Sequence, residues 1–452
     1  MANVVTVMGA AQHQVPVTVN GSVAFTLAQA YQTAVSQLGA TLFAQNLAAG
    51  VTPASVPGGK VGEGVIGTSG SYTFPGGYSY VVDNAASGVV LNGSAIGSSV
   101  SVLAGLGGTT LFGGAGGGEF IAGGGNNVFE GLSTGGGNYV ISTSPGNDSV
   151  FGNSGNDTIY TDVGHNLVFA GTGNDTIYSA GTDSIIAGAG DSTIALIGDS
   201  STVFGSTGAT TLVDVGTDNL YAGGTGSTLL FDGTDGTYYL NGPSTVIGGV
   251  NDTISASGNA TIFSGSGTTV YESASVSLAF IANSGTSSTV NGGGNATVFG
   301  ASDASVTYNG SSGLSYLIAS TGNETLNGSL ASGPLVLFGN GAATELDGGA
   351  GNDTLVAGSG SNSLTGGQGN NTFVFSDSSA GGSDVITDFG SSAGNLVGLF
   401  GYGANEAQAV LAAAVNNGSG GSSITLSDNT VITFNNLTAD QLKAHATQIF
   451  ST

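Results

Sequence analysis

The chain has 452 residues, including 84 glycines and no cysteine; its only lysines are Lys60 and Lys443 and it has no arginine, so the formal net charge is −26. This balance argues against binding to nucleic acid or to an anionic membrane surface, because no basic surface is available to neutralise phosphates. The absence of cysteine excludes disulfides and thiolate metal sites. Since 39% of the residues are hydrophobic and regularly spaced, the composition predicts a folded repeat rather than a disordered chain.

Residues 1–50 predict two short strands followed by one amphipathic helix. Within 22–50, apolar residues recur at helical spacing, at Leu27, Tyr31, Val35, Leu38 and Leu42. Thr26 and Gln29 match a capping box, and Gly50 marks the end of the pattern. We expect the helix to pack on its own domain. In the alternative, it is an assembly helix that contacts a partner through Leu27 and Tyr31.

The N-terminal region lacks the features of an export or membrane segment. Residues 1–59 contain no charged residue, so the basic part of a secretory signal is missing. No run of about 18 apolar residues occurs in the sequence. We therefore expect neither an N-terminal secretory signal nor membrane insertion.

A nine-residue repeat runs through residues 86–375, after a Pro- and Gly-rich segment, 51–85, that predicts a linker leading into a strand. Apolar residues recur every nine positions, at Val150, Ile159, Val168 and Ile177 and again at Leu337, Leu346, Leu355, Leu364 and Phe373. Each repeat predicts a short strand with one inward-pointing residue, followed by a Gly/Asn/Asp turn. Two strands make one coil of about 18 residues, so the predicted fold is all-β, a parallel β-roll or β-helix solenoid.

Some of the turns carry candidate metal ligands. In "GGAGNDTLV" (348–356), Gly349 and Gly351 allow the backbone carbonyls to converge, and Asp353 adds a carboxylate; hard oxygen ligands of this kind suit Ca²⁺. One such loop supplies half a ligand shell, so the other half must come from the loop 18 residues away.

Two loops meet this spacing with an aspartate in each. Asp157 and Asp175 are 18 residues apart, with the glycines matched at Gly155 and Gly173, which makes them the strongest candidate site. Asp148 with Asn166, and Asp353 with Asn371, are half-charged versions of the same pair. Most other turns carry Asn, Ser or Thr instead. In the alternative interpretation, such turns satisfy their own backbone through side-chain hydrogen bonds stacked as ladders.

Residues 376–452 break the period and predict a C-terminal α+β cap. We expect closing strands at 383–389 and 395–402, a helix at 405–417 and a hairpin at 422–434. A last helix at 438–450 has Thr438 and Gln441 as its capping box. A cap is expected on a solenoid, since the last coil otherwise exposes its core and strand edges.

The repeat region resembles the RTX proteins in a degenerate form, because "GGAGNDTLV" fits the nonapeptide pattern G-G-x-G-x-D-x-U-x at every position. The region 383–452, with "DVITDF" and a tail of acidic, small and apolar residues, resembles the C-terminal part of proteins exported by bacterial type I secretion. This resemblance implies an uncleaved C-terminal export signal, contact with the type I secretion apparatus, and calcium-assisted folding outside the cell or at the bacterial cell surface.

No catalytic constellation is evident. His165 occupies the same turn position as Asn156 and Asn174, so we interpret it as a tolerated loop residue. Glu130 and Glu272 directly follow aromatic residues and are expected to face solvent. Because clustered acids with a basic partner are lacking, we expect a protein that is not an enzyme.

Aromatic residues often follow the inward-pointing residue and should point outward. They occur at Phe151, Tyr160, Phe169 and Tyr178, and again at Phe263, Tyr271, Phe299 and Tyr308. They either stack to steady the sheet or form a contact surface. The sequence thus favours a secreted structural protein that self-associates into a filament, surface layer or biofilm matrix. The alternatives are a monomeric calcium-binding adhesin for glycan or cell-surface polysaccharide and, less favoured, a polysaccharide-modifying enzyme.

Overall fold

The computed structural model describes residues 2–198, 200–217, 219–310, 313–340, 343–377 and 382–452. The chain divides into two compact units, Met1–Thr237 (unit 1) and Tyr238–Thr452 (unit 2). In the described residues each unit is a parallel β-solenoid with about 18 residues per turn and few helices. The predicted all-β solenoid is therefore confirmed.

Unit 1 has a hairpin, a helix and then the strands of the solenoid: β1 (Asn3–Met8), β2 (Gln14–Val19), α1 (Ser22–Leu38), β3 (Leu42–Asn46), β4 (Val61–Ile66), β5 (Gly70–Thr73), β6 (Tyr78–Asp83), β7 (Val89–Asn92), β8 (Val100–Ala104), β9 (Thr109–Phe112), β10 (Gly118–Ile121), β11 (Val128–Glu130), β12 (Tyr139–Ser142), β13 (Ser149–Phe151), β14 (Thr158–Thr161), β15 (Leu167–Phe169), β16 (Asp175–Ser179), β17 (Ser184–Ile186), β18 (Ser192–Leu196), β19 (Thr202–Phe204), β20 (Thr210–Asp214), β21 (Leu220–Ala222) and β22 (Thr228–Thr234). Strand β23 (Thr237–Leu240) begins at the last residue of this unit.

Unit 2 continues with strands and ends in a mixed cap: β24 (Ser244–Val250), β25 (Thr253–Ala256), β26 (Ala260–Ser266), β27 (Thr269–Glu272), β28 (Ser277–Ile281), β29 (Ser287–Gly292), β30 (Asn295–Phe299), β31 (Ser305–Gly310), β32 (Ser315–Ile318), β33 (Glu324–Asn327), β34 (Leu335–Phe338), β35 (Thr344–Gly349), β36 (Thr354–Val356), β37 (Ser363–Gly367), β38 (Thr372–Ser376), β39 (Ser383–Ile386), β40 (Leu396–Phe400), α2 (Glu406–Ala412), β41 (Val415–Asn416), β42 (Ser422–Thr425), β43 (Val431–Phe434), α3 (Ala439–Ala444) and β44 (Ile449–Ser451). None of the helices in the described ranges has the length and hydropathy that a membrane span requires.

Within each unit the chain alternates between two parallel sheets. In unit 1 the first sheet contains β3, β4 and the even-numbered strands from β6 to β22, and the second contains the odd-numbered strands from β5 to β21. In unit 2 the first sheet runs through the even-numbered strands from β24 to β40 and ends at β44, and the second runs from β25 to β39 and ends at β43. Parallel register places the same position of successive turns side by side.

The core consists of columns of apolar side chains in register. On the first sheet of unit 1 the inward column is fully buried and contains Ile159, Ile177, Ile194, Leu212 and Leu230. Burying one such side chain stabilises the fold by roughly 1.5–3 kcal/mol. The nine-residue spacing of apolar residues in the sequence corresponds to these columns.

The N-terminal helix differs in its bounds from the prediction. Helix α1 begins at Ser22 after Gly21 and ends at Leu38, and no side chain caps its first turn. The capping box predicted from Thr26 and Gln29 is wrong, because Thr26 already lies inside the helix and its hydroxyl donates to the carbonyl of Ser22 at 3.0 Å.

The helix packs on its own unit, as expected. Tyr31 is 1% exposed and belongs to one apolar cluster with Val82, Leu103 and Ile121 of the first sheet, and Leu27 is half-buried against the same cluster. The alternative interpretation, in which Leu27 and Tyr31 contact a partner, is wrong for Tyr31, since its ring is covered by the chain's own sheet.

The segment predicted as a linker is largely part of the solenoid. Residues 51–60 form no strand, but β4, β5 and β6 all lie before residue 86 and pair in parallel with their neighbours. Glycines permit this despite the weak apolar pattern: a Cβ at Gly62 would lie 2.9 Å from the carbonyl oxygen of Gly77.

The C-terminal cap contains the predicted kinds of element, but the helices predicted at 405–417 and 438–450 are shorter, because α2 ends at Ala412 and α3 at Ala444 and strands β41 and β44 follow them. Strands β42 and β43 form an antiparallel hairpin, and β43 extends the second sheet by pairing with β39. The capping box of Thr438 and Gln441 is present at the start of α3.

One carboxyl group lies in the apolar cluster beneath α1. Glu63 of β4 is fully buried, and the hydroxyl of Tyr31 donates to its Oε1 at 3.4 Å. Burial raises the pKa of Glu63 to about 8. The neutral form is therefore the one that the folded unit favours at neutral pH.

We predict that unit 1 loses stability as the pH rises through 8. The pKa of folded Glu63 lies above its ordinary value of 4.5. The stability that this group contributes is therefore complete below pH 4.5 and falls by about 1.4 kcal/mol per pH unit until the pH reaches the folded pKa. The variant Glu63→Gln should show a flatter dependence of melting temperature on pH between 6 and 9. Exposed Glu130→Gln is the control, and an unchanged pH profile in Glu63→Gln would contradict the prediction.

Candidate metal-binding turns

The buried acidic side chains of the turns lie mostly at one position, two residues before an inward-pointing apolar residue; we call it the turn position. In unit 1, the turns that precede first-sheet strands form the first edge, and those that precede second-sheet strands form the second edge; the same names are used in unit 2. The first edge of unit 1 carries Asp157 and Asp175, which are 1% and 2% exposed.

The structure brings Asp157 and Asp175 together in adjacent turns, as their spacing predicts. The backbone N–H of Asp157 donates to Oδ1 of Asp175 at 2.8 Å, and the N–H of Tyr139 donates in the same way to Oδ1 of Asp157 at 2.7 Å. The matched glycines are required by this close stacking, since a Cβ at Gly173 would overlap the carbonyl oxygen of Gly155. Each carboxylate thus uses one oxygen to join two turns.

The second carboxylate oxygen of each aspartate is left without a hydrogen-bond donor. Oδ2 of Asp157 and Oδ2 of Asp175 are both buried and accept no hydrogen bond. A side chain at Gly152 would collide with Oδ2 of Asp157 and with the carbonyl oxygen of Ala170. Only glycine at this position therefore leaves the space between these two oxygens open. A buried, unpaired carboxylate oxygen is unfavourable unless a cation or donor reaches it.

Burial and mutual repulsion disfavour the ionised form of this pair. Burial raises the pKa of Asp157 to about 7, with a further increase from the charge of Asp175, and burial raises the pKa of Asp175 to about 6. Among the described residues no group of three or more His, Cys, Asp or Glu side chains lies close enough to hold a metal ion. An ion held by Asp157 and Asp175 would therefore take its remaining ligands from turn carbonyls, which suit Ca²⁺.

The most complete nonapeptide has a different environment. In unit 2 the N–H of Asp353 donates to Oδ1 of Asn371 at 2.9 Å, so the predicted half-charged pair is also adjacent. Both oxygens of Asp353 accept backbone donors, Oδ1 from Leu335 and Oδ2 from Gly349, each at 2.8 Å. Gly351 again permits close stacking, as its Cβ would lie 2.5 Å from the carbonyl oxygen of Gly333. This carboxylate is satisfied by the backbone alone.

Asparagine side chains, including those next to Asp157 and Asp175, form ladders between turns. The N–H of Asn156 donates to Oδ1 of Asn138, and the N–H of Asn174 donates to Oδ1 of Asn156, both at 2.8 Å. On the second edge, the N–H of Asp148 donates to Oδ1 of Asn166 at 3.0 Å. The ladders were expected, but these bonds satisfy the neighbouring turn rather than the residue's own turn.

Two predictions about side-chain direction were wrong. Glu272, expected to face solvent, is buried because it lies two residues after inward-pointing Val270, and burial raises its pKa to about 7. Tyr308 is fully buried for the same reason, since it lies two residues after Val306. In both cases strand alternation places residues two apart on the same face.

Other predicted positions lie on the surface. His165 is exposed, and its N–H donates to Oδ1 of Asn147 at 3.0 Å, as one more step of a turn ladder. The rings of Phe151 and Phe169 stack at 5.2 Å, and those of Tyr160 and Tyr178 stack at 4.9 Å, so the outward aromatic residues do line up in register.

Sequence reasoning missed four residues at the turn position of the second edge: Asn127, Asp183, Asn362 and Asp384. All are at most 2% exposed. The sequence feature that could have identified them is their position two residues before an apolar residue. A search for pairs 18 residues apart misses them because the spacing between turns varies, as in the 21 residues between Asn127 and Asp148.

Without calcium, unit 1 should lose stability as the pH rises from 4 to 8. The pKa values of Asp157 and Asp175, about 7 and about 6, lie above the ordinary 3.8. Their contribution is therefore complete below pH 3.8 and is lost as the pH rises through 6 to 7. Bound calcium favours the ionised carboxylates and should remove this loss. Melting temperatures at pH 5 and pH 8, in calcium and in chelator, should show the larger calcium effect at pH 8.

The double variant Asp157→Asn with Asp175→Asn should reduce the calcium effect at pH 8. Exposed Asp191→Asn, which retains an Oδ1 to accept the N–H of Ala209, serves as the control with one carboxylate removed. A calcium effect of undiminished size in the double variant would place the ion elsewhere.

The comparisons with known proteins agree with this geometry. The family profile of the RTX calcium-binding nonapeptide repeat matches four segments, residues 133–168, 142–177, 178–195 and 338–374. No curated protein and no solved structure matched the chain. RTX nonapeptide repeats are calcium-binding motifs, and the matched segments contain Asp157, Asp175 and Asp353. The chain thus carries four copies of the RTX calcium-binding nonapeptide repeat on a parallel β-solenoid.

Proposed function

We propose that the protein is a secreted structural subunit that binds calcium in some turns and self-associates through the first sheet of unit 2. The product would be an extracellular filament, surface layer or biofilm matrix. The observation that carries this proposal is an uncharged, apolar outer face in a chain with a net charge of −26.

This face is built from the even-numbered strands from β24 to β38, none of which contains a charged residue. One outward column is apolar and in register along its whole length, through Ile247, Phe263, Ile281, Phe299, Ile318, Phe338, Val356 and Val374. Phe263 and Phe299 are 45% and 39% exposed. Contiguous apolar surface of this kind marks an association site.

Unit 1 shows how such a column can be covered. The equivalent outward column on its first sheet contains Val82, Leu103 and Ile121 in register, and helix α1 packs over it. In unit 2 the side chains of Phe263 and Phe299 remain accessible. A second copy of the chain is the partner that the face fits, because two such faces have the same period and no like charges to repel each other.

Secretion is supported by the repeat itself, since RTX repeats are typical of secreted proteins. Export by the type I apparatus, with residues 376–452 as the signal, rests on resemblance. The RTX repeat family is typically structural or toxin-like rather than enzymatic, which agrees with a structural role.

One observation favours a second candidate, a monomeric adhesin. The stacked rings of Tyr160 and Tyr178, with an interplanar angle of 6°, form a flat aromatic surface in unit 1. Flat aromatic faces suit the apolar faces of sugar rings, so a cell-surface polysaccharide is the partner to test. Binding on a glycan array by chains that do not assemble would favour this candidate.

The double variant Phe263→Asp with Phe299→Asp should abolish assembly. It introduces two charges into the apolar column without altering the core. The control, Tyr271→Asp with Asn309→Asp, adds the same charge at exposed positions of the second sheet of the same unit and should assemble like the wild type. Negative-stain electron microscopy and sedimentation in a few millimolar Ca²⁺ would measure the difference.

Circular dichroism would first establish that both double variants keep the β-sheet signal of the wild type. Single particles for the wild type itself would refute the proposal. Equal loss of assembly in the two variants would show that net charge, rather than the first-sheet face, governs association.

A further inference from the structure

The two edges of unit 1 hold their buried carboxylates in different arrangements. On the first edge Asp157 lies directly next to Asp175. On the second edge the turn position reads Asn127, Asp148, Asn166, Asp183 along successive turns, so Asp148 lies between two amides and Asp183 lies between Asn166 and Ser201. All of these side chains are at most 2% exposed. Carboxylates are therefore adjacent on the first edge and separated by amides on the second edge.

The amide of Asn166 joins the oxygens of two turns. Its Nδ2 donates to the carbonyl oxygen of Asp162 in its own turn at 2.9 Å and to Oδ1 of Asp183 in the next turn at 2.8 Å. Its Oδ1 accepts the N–H of Asp148 at 3.0 Å. The remaining oxygen of Asp183 accepts the hydroxyls of Thr161 and Ser179, both at 2.6 Å. Every polar atom of this pair is thus satisfied.

The same amide contacts recur twice, and in each of these cases one side-chain oxygen, Oδ2 of Asp148 or Oδ1 of Asn362, accepts no hydrogen bond. Nδ2 of Asn127 donates to the carbonyl of Gly125 and to Oδ1 of Asp148, both at 3.0 Å. In unit 2, Nδ2 of Asn362 donates to the carbonyls of Gly358 and Gly360 at 3.1 Å and to Oδ1 of Asp384 at 2.8 Å. In all three turns one amide nitrogen lies where turn carbonyls and the next turn's carboxylate converge.

Carbonyl and carboxylate oxygens that converge from two successive turns are the ligands that a calcium ion needs. An amide nitrogen in their midst supplies two N–H donors to the same oxygens and leaves no space for the ion. The first edge lacks such an amide, and its oxygens Asp157 Oδ2 and Asp175 Oδ2 have no donor.

We propose that the amides of Asn127, Asn166 and Asn362 take the place of calcium in their turns. These turns are closed without metal, although the RTX repeat matches extend over Asn166 and Asn362. Calcium is directed to turns that stack carboxylate on carboxylate, as at Asp157 and Asp175. The residue at the turn position, Asn or Asp, thus decides turn by turn whether the solenoid requires the ion. This inference is independent of the proposed self-association.

Replacement of one amide should create a calcium site. In Asn166→Asp, three carboxylates become consecutive, at positions 148, 166 and 183. Isothermal titration of the full chain with Ca²⁺ should show one more bound ion than the wild type. The melting temperature of the variant should lie below that of the wild type in chelator and return to the wild-type value in calcium. The matched control is exposed Asn147→Asp on the same edge, which adds the same charge and should gain no ion.

The reverse substitution tests the first edge. In Asp175→Asn, Oδ1 can still accept the N–H of Asp157, and the amide nitrogen takes the position of the unpaired Oδ2 of Asp175. The variant should bind fewer calcium ions than the wild type and should melt in chelator at or above the wild-type temperature. If Asn166→Asp gains no ion, or Asp175→Asn retains the wild-type number, the proposal is wrong. Should Asn166→Asp fail to fold in either condition, Asp175→Asn and Asn362→Asp decide the matter.

Discussion

The structure depends on one constraint, the parallel register between successive turns. Each residue lies about 4.8 Å from the residue at the same position of the next turn. A residue type can therefore repeat at one position only if two copies of its side chain pack side by side without repulsion. Apolar side chains meet this condition and form the buried columns. Asn side chains meet it too, because each amide oxygen accepts the N–H of the following turn, as in the series Asn138, Asn156 and Asn174.

Carboxylates do not meet this condition by themselves, since like charges in a buried position repel each other and lose their hydration. The chain contains two arrangements that relieve the conflict. In one, amides alternate with carboxylates and donate to their oxygens. In the other, two carboxylates are adjacent and their outer oxygens have no donor, an arrangement that a divalent cation completes. The metal chemistry of the turns is therefore a consequence of the stacking geometry.

The outer faces follow from the same register. An outward apolar residue repeated in every turn becomes a continuous apolar column, which must either be covered or be available to a partner. Helix α1 covers the column through Val82, Leu103 and Ile121 in unit 1. The column that contains Phe263 and Phe299 keeps its rings accessible. The same kind of apolar column is therefore covered in unit 1 and exposed in unit 2. The uncharged strands of this face contrast with the acidic character of the chain as a whole.

The sequence by itself determined the class of fold, because a nine-residue apolar period with Gly/Asn/Asp turns has few other solutions, and it determined that Asp157 and Asp175 are neighbours. Strand alternation was also readable, and the errors at Glu272 and Tyr308 arose where an extended strand places two residues on the inner face. The sequence did not show where α1 begins, because Gly21 supplies a turn without a side-chain cap. Only the tertiary structure decided which carboxylate oxygens have donors. The donors belong to turns whose spacing varies from 17 to 22 residues, so their pairing depends on how the turns stack rather than on distance along the chain.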